Sequence, residues 1–283
     1  MSKLKVLVTG VTGKQGGAVA RRLLARGHTV RGLTRSEGSD AAKEIAKAGV
    51  ELRRGDLVDR ASIDAALQGV DAVFSMTTPF EKGMETETRQ GVTVADAAKA
   101  ANVFLVYTSV GGADRNTGIP HFDSKYEVEK HIRSIGAAST IIAPVYFMEN
   151  AKFTRDQMAQ GVFATPIAAD RKLAQIAVGD IAACAVSVLE SRAKHEGKRY
   201  DIGGDELSGN EAVAILSKVK GKPFEYFQVP MDMIRQRMGD DGAKMYEWFE
   251  RVGYSLDLAA LRRDFPDVEW HTFEAWAREQ TWF

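Results

Sequence analysis

Cysteine is almost missing from this chain: Cys184 stands alone among 283 residues, so no disulfide can close within it. Its apolar setting, residues 181–189, makes a small buried side chain its expected role. An excess of one charge is missing too. Lys plus Arg and Asp plus Glu each total 38, for a net charge of zero, and no basic field points to direct nucleic-acid binding. No uninterrupted apolar run approaches the ~18 residues of a membrane span. The chain enters a strand at once, without a cleavable apolar segment, and the expectation is a soluble, cytoplasmic protein. Internal repeats and low-complexity stretches are not found.

What is present is concentrated near the start. Lys5-Val6-Leu7-Val8 is an apolar run of strand length that leads into Gly10-Val11-Thr12-Gly13-Lys14-Gln15-Gly16. A helical period follows through Val19, Leu23 and Leu24 and closes at Arg26-Gly27, and residues 28–34 form a second strand. Each glycine has a use. Gly10 lets the chain leave the strand abruptly, Gly13 clears space where a phosphate would meet the backbone, and Gly16 lets the helix pack close to the strand. The free N–H groups and positive dipole end of the helix favour an anion, so a pyrophosphate is the expected guest. The spacing is G-x-x-G-x-x-G instead of the usual G-x-G-x-x-G, and its strand-to-helix setting carries the reading.

Nineteen residues beyond Gly16, where an NAD site would hold a carboxylate to the ribose 2′-hydroxyl, the chain has Arg35. A guanidinium suits a 2′-phosphate, which favours NADP over NAD; the plain alternative is a solvated surface arginine. Asp56, just past a third strand (50–54), is either a contact to the adenine amino group or a turn aspartate. Thr77, Thr78 and Pro79 follow a fourth strand (70–75), and Ser109 ends a fifth (103–109). With helices over 39–48, 60–67, 85–101 and 121–135 and a sixth strand at 140–146, the alternation predicts α/β architecture: a Rossmann-type doubly wound parallel sheet.

Residues 1–150 are thus expected to form the NAD(P)-binding domain. Residues 151–283 change character. A helix over 147–160, a strand over 172–178, a helix opened by Gly179-Asp180, a strand over 199–202, a helix over 208–219 and a mostly helical 230–265 predict a smaller mixed α/β lobe. It is expected to pack discontinuously on the first domain and to close over the nicotinamide end.

Several motifs recur in a familiar order: TGVTGKQGG (9–17), TRS (34–36), GDL (55–57), VYTSV (106–110), HFDSK (121–125), PVYFMEN (144–150), VGDIA (178–182) and FEAWA (273–277). On these, covering nearly the whole chain, the sequence resembles the NmrA-like family of atypical short-chain dehydrogenases/reductases. The resemblance implies that NADP is held by Gly10, Thr12, Gly13, Lys14, Gln15, Gly16, Arg35, Asp56, Leu57, Thr77, Thr78, Pro79, Lys125, Tyr146, Phe147 and Asn150, with Arg89 at a basic position of the family and no metal. It implies an NADPH-dependent reductase of a small electrophilic acceptor, of quinone or carbonyl type, working as a monomer or homodimer. The family also holds regulators that bind NADP without known turnover and act through a protein partner, and this is the alternative.

Whether hydride moves turns on a helix. Mainstream relatives use Tyr-x-x-x-Lys, in which tyrosine donates a proton and lysine binds the ribose. Tyr126-x-x-x-Lys130 matches literally, whereas His121-x-x-x-Lys125 is the family frame. Val128, Ile132 and Ile135 mark the buried face; His121 and Lys125 share it, while Tyr126 and Lys130 lie roughly opposite. The literal match is therefore expected to be a decoy. If it were not, an epimerase-like enzyme with a sugar-nucleotide substrate would be the third reading. Lys125 becomes the ribose ligand, His121 either a proton donor or the mere start of a helix, and Ser109 a group to orient a carbonyl. Phe80, Tyr146, Phe147, Met148, Trp248 and Phe249 are the expected pocket lining, with ordinary core as the alternative for the last two.

Overall fold

The computed structural model describes residues 3–283. Strands and helices alternate through the first half: β1 (Lys5–Val8), α1 (Lys14–Ala25), β2 (Thr29–Thr34), α2 (Asp40–Lys47), β3 (Glu51–Arg54), α3 (Arg60–Leu67), β4 (Ala72–Ser75), α4 (Gly83–Ala100), β5 (Phe104–Thr108), α5 (Pro120–Ser134) and β6 (Ser139–Pro144). The second half supplies β7 (Tyr146–Phe147), α6 (Arg155–Ala159), β8 (Val162–Thr165), β9 (Lys172–Ile176), α7 (Val178–Glu190), α8 (Arg192–His195), β10 (Arg199–Ile202), β11 (Asp205–Ser208), α9 (Gly209–Lys220), β12 (Glu225–Gln228), α10 (Met231–Arg251), α11 (Leu258–Asp264) and α12 (Phe273–Glu279).

Seven strands form one sheet in the order β10-β6-β5-β4-β1-β2-β3, every pair parallel. The fold is the doubly wound Rossmann-like one. Its order reverses between β1 and β4, and the crevice at the carboxyl ends of those strands is where such sheets receive ligands. Strands β4, β5 and β6 are buried along their whole length, as parallel strands covered on both faces must be. The period of two divides β1: Val6 and Val8 join the core beneath α1 and α7, and Leu7 joins that beneath α4 and α5. Cys184 is fully buried in the first of these cores, and burial pushes its thiol up.

The chain's second half returns to this sheet, adding β10 at its edge and α7 against α1. The remainder forms two small sheets, β11-β9-β7 and β12-β8, over aromatic cores containing Trp276, Phe273, Trp248 and Phe249. Among the described residues no helix is long and apolar enough to cross a membrane.

The structure corrects one expectation. Residues 147–160 are not one helix: Tyr146 pairs in parallel with Gln175 of β9, a 3-10 segment spans Met148–Thr154, and only the short α6 follows. Both carboxylate oxygens of Glu149 accept the Val178 N–H at 3.1 Å, tying this segment to the start of α7 and overriding helical preference. Strands β8 and β11 carry no sequence signal strong enough to announce them. Finally, α10 is broken at Gly239, whose φ of 70° and ψ of −173° suit only glycine.

Candidate functional site

The crevice begins at the glycine turn. Gly10 has φ +60°, and a Cβ there would lie 2.4 Å from the Met76 sulfur. A Cβ on Gly16 would come within 2.3 Å of the Gly10 carbonyl oxygen, so only glycine lets α1 sit this close to β1. Gly13 caps α1 through its backbone alone, with no side-chain cap among the described residues and no acid in the first turn. The positive helix end is therefore left for an anion, beside exposed Thr12 and Lys14. Thr9 fixes the two strands that border the crevice: its hydroxyl donates to Met76 O at 3.0 Å and accepts from Met76 N at 2.8 Å. Thr108, at the end of β5, donates to Gln15 Oε1 at 3.1 Å and holds that side chain over the turn.

Arg35 stands at the end of β2 with Nη1 2.7 Å from Glu81 Oε2, both side chains about half exposed. The hydrogen bond to Glu81, with Asp56 also nearby, raises the guanidinium above its ordinary value. Asp56 serves the turn as well, since its Oδ1 accepts the Val58 N–H at 3.2 Å, and Leu57 packs against the core. Thr77 is buried and donates to Glu87 Oε1 at 3.2 Å; Thr78 Oγ1 accepts Phe80 N–H at 3.4 Å and the Pro79 carbonyl accepts Gly83 N–H at 2.8 Å. These contacts fix the loop after β4 and turn its backbone toward α5.

Helix α5 presents His121, Lys125 and Glu129 as one ridge, four residues apart. Lys125 Nζ donates to Glu87 Oε1 at 2.5 Å and to Thr77 O at 3.2 Å, and Ser124 Oγ donates to Glu87 Oε2 at 2.6 Å. Glu87 has no exposed surface. It was missed from sequence, although Gly91 one turn later is a signal: a Cβ on Gly91 would lie 2.6 Å from Val128 Cγ2, and this close helix crossing brings Glu87 to Lys125. Arg89 is exposed on α4, about 200° round the helix from Glu87.

Tyr126 lies away from this ridge. Its ring carries Lys130 Nζ at 5.5 Å and the Arg133 guanidinium at 5.8 Å, and Lys130 pairs with exposed Glu127 at 2.7 Å. Ser109 is committed elsewhere than to a substrate carbonyl: its hydroxyl donates to Glu129 Oε1 at 2.5 Å. Glu129, also missed from sequence, is fully buried and takes Arg133 and Arg199, each at 2.8 Å. His121 is buried, with Nδ1 2.6 Å from Asp241 Oδ2 and its ring centroid 6.1 Å from that of Phe80.

Across the crevice, Tyr146 OH is 3.1 Å from Tyr246 OH and its ring meets Phe249 edge-on. Phe147 and Asn150 are half-buried, while Met148, Trp248 and Phe249 are buried in the core. Phe153 is exposed, and Lys14 Nζ sits 5.2 Å above its ring.

Residues 2–277 match the model of the NmrA-like family. The chain belongs to that family. One relative, the NAD(P)H azoreductase of Xenophilus azovorans, is 32% identical over 238 residues, covering 82% of this chain and 80% of its own. The NADPH-dependent quinone oxidoreductase of Escherichia coli, solved in complex with NADPH, superimposes with a TM-score of 0.81 at 26% identity, covering 96% of this chain and 98% of that one. The negative transcriptional regulator NmrA, solved with NADP, shares the fold at a TM-score of 0.80 and 21% identity, covering 99% of this chain and 95% of its own.

Proposed function

We propose that this chain is an NADPH-dependent reductase of a small electrophilic acceptor, of quinone or carbonyl type. One observation carries the reading: Lys125, held by the buried Glu87, donates to the Thr77 carbonyl in the loop that follows β4, and α1, which follows the neighbouring β1, begins with no acid in its first turn. An anion-binding turn and a fixed cation at the two sides of a switch-point crevice suit a dinucleotide. The bare turn, with Gly13 and Gly16 where side chains would intrude, fits a pyrophosphate. Arg35 would take the 2′-phosphate, exchanging its Glu81 partner for the ligand, and Lys125 would hold the nicotinamide-side ribose. NADPH, when bound, supplies a hydride. The chain's part is then to position an acceptor against it and exclude competing water.

The names of the azoreductase and quinone oxidoreductase relatives support the same class of chemistry. Titration with NADPH and NADH by nicotinamide fluorescence, followed by menadione, p-nitrobenzaldehyde and methyl red in turn, tests it. Acceptor-dependent loss of nicotinamide absorbance is expected. Tight NADPH binding with no consumption by any of the three would favour an NADP(H)-responsive regulator acting through a protein partner.

A further inference from the structure

The small sheet β11-β9-β7 has one face whose polar content neither core packing nor cofactor binding explains. Along β9 the two-residue period sends Ala174 and Ile176 into the core beneath α1 and α7, so Leu173 and Gln175 face the other way. Tyr146 of β7 lies beside Gln175, and Leu207 of β11 beside Leu173, which puts all four side chains on that second face. They line a cleft of about 350 Å³, counted out to its open mouth. Phe163, Arg171 and Tyr226 also line it.

Gln175 is the unusual member. It is only 6% exposed, yet its amide makes no hydrogen bond among the described residues and is not sealed in by its neighbours. A buried polar group is costly unless it is partnered, so the open side of this amide marks where a partner would come. The cleft is the space that Gln175 borders. Other hydroxyls there are committed: Tyr226 OH donates to Ile167 O and meets Thr165 Oγ1, each at 2.5 Å, and Tyr146 OH meets Tyr246 OH at 3.1 Å. Gly209 makes room for the Tyr226 ring, since a Cβ there would lie 2.2 Å from Tyr226 Cε2.

The charge around the cleft has one sign. Arg171 is the only charged residue that lines it. Its Nε and Nη2 donate to the carbonyls of Phe249 at 3.3 Å and Val252 at 2.8 Å, and among the described residues no carboxylate pairs with it. Acids on neighbouring elements are turned to backbone donors: Glu250 Oε2 accepts the Ala168 N–H at 3.0 Å, and Glu211 Oε2 accepts the Ser208 N–H at 2.7 Å.

We propose that this cleft is a binding site for a small carboxylate on a flat apolar body, of benzoate type. The Gln175 amide donates to the carboxylate, Arg171 supplies the compensating charge, and the rings of Tyr146, Phe163 and Tyr226 cover the body. The site is separate from hydride transfer and does not depend on turnover of NADPH.

Isothermal titration of the protein with benzoate, and with benzamide as its neutral counterpart, tests this. Saturable benzoate binding is expected, with benzamide at least ~10-fold weaker. Gln175→Leu should raise the benzoate Kd about 10-fold and leave the NADPH Kd within about twofold. It should also raise the urea midpoint of the free protein, because an unpartnered buried amide gives way to an apolar group of similar size. Arg171→Met should raise the benzoate Kd at least ~10-fold; if loss of its carbonyl contacts prevents folding, Gln175→Leu and benzamide decide the matter. No saturable binding of benzoate would overturn the proposal, as would equal affinity for benzamide or an unchanged benzoate Kd in Gln175→Leu. A lowered urea midpoint in Gln175→Leu would make the amide a structural group and overturn it as well.

Discussion

Glu87 reaches Lys125 across the α4–α5 crossing, its Oε1 2.5 Å from Nζ, with the carboxylate wholly shielded from solvent. A buried ion pair of this kind is weak evidence for stability in itself, but losing one partner leaves the other charged and unpaired. Glu87→Gln is therefore expected to cost on the order of 3 kcal/mol in chemical denaturation. Lys125→Met should raise the NADPH Kd at least ~10-fold, the worth of one charge-assisted hydrogen bond. Undiminished binding by Lys125→Met in the fluorescence titration would remove Lys125 from the ribose site.

Tyr126→Phe should change nothing that matters to the crevice. Its ring is a platform for Lys130 and Arg133, and both contacts survive loss of the hydroxyl. Stability is expected within ~0.5 kcal/mol of the parent, with NADPH Kd and turnover within about twofold. A large loss of turnover would restore the literal Tyr-x-x-x-Lys frame and with it the epimerase-like reading.

Cofactor choice should be separable at the Arg35–Glu81 pair, 2.7 Å apart at the end of β2. Arg35→Ala is expected to weaken NADPH by about 10-fold or more and NADH by much less, because only NADPH brings a phosphate to a guanidinium. Glu81→Gln should do the reverse, tightening NADPH a few-fold by freeing Arg35 from its competitor. Equal effects of Arg35→Ala on both cofactors would place the 2′-phosphate elsewhere.

Stability should peak near pH 6.5, for two opposed reasons. A hydrogen bond from His271 Nδ1 to buried Asp180 raises His271 from 6.5 to about 9, so its contribution is complete below 6.5 and disappears as pH rises through about 9. Burial lowers His195 from 6.5 to about 4, where it stacks on Phe265 and shares a hydrogen bond with the Tyr200 hydroxyl. Its contribution is complete above 6.5 and is lost as pH falls toward about 4. In urea midpoints taken across pH, His271→Gln should flatten the alkaline limb and His195→Phe the acid one. Limbs unchanged by these substitutions would assign the pH dependence to other groups.

What the sequence determined by itself is local and periodic. The glycine turn is legible because each glycine answers a steric demand within a few residues of itself: the positive φ at Gly10 and the near-contact that any side chain on Gly16 would make. The two-residue period sends Val6 and Val8 to one core and Leu7 to the other, and four-residue spacing puts His121 and Lys125 on one face of α5 and Tyr126 off it. Tertiary structure decided the partners. Glu87 and Glu129 are ordinary helical acids in the sequence. They become buried counter-ions only because α4 crosses α5 closely and because β10 brings Arg199 to the sheet edge. The role of Ser109 changed for that reason. Asp241, 120 residues from His121, carries no sequence signal, since its position depends on a kink at Gly239 in a different part of the fold. Periodicity fixes which face a residue occupies; what meets that face depends on how distant elements pack.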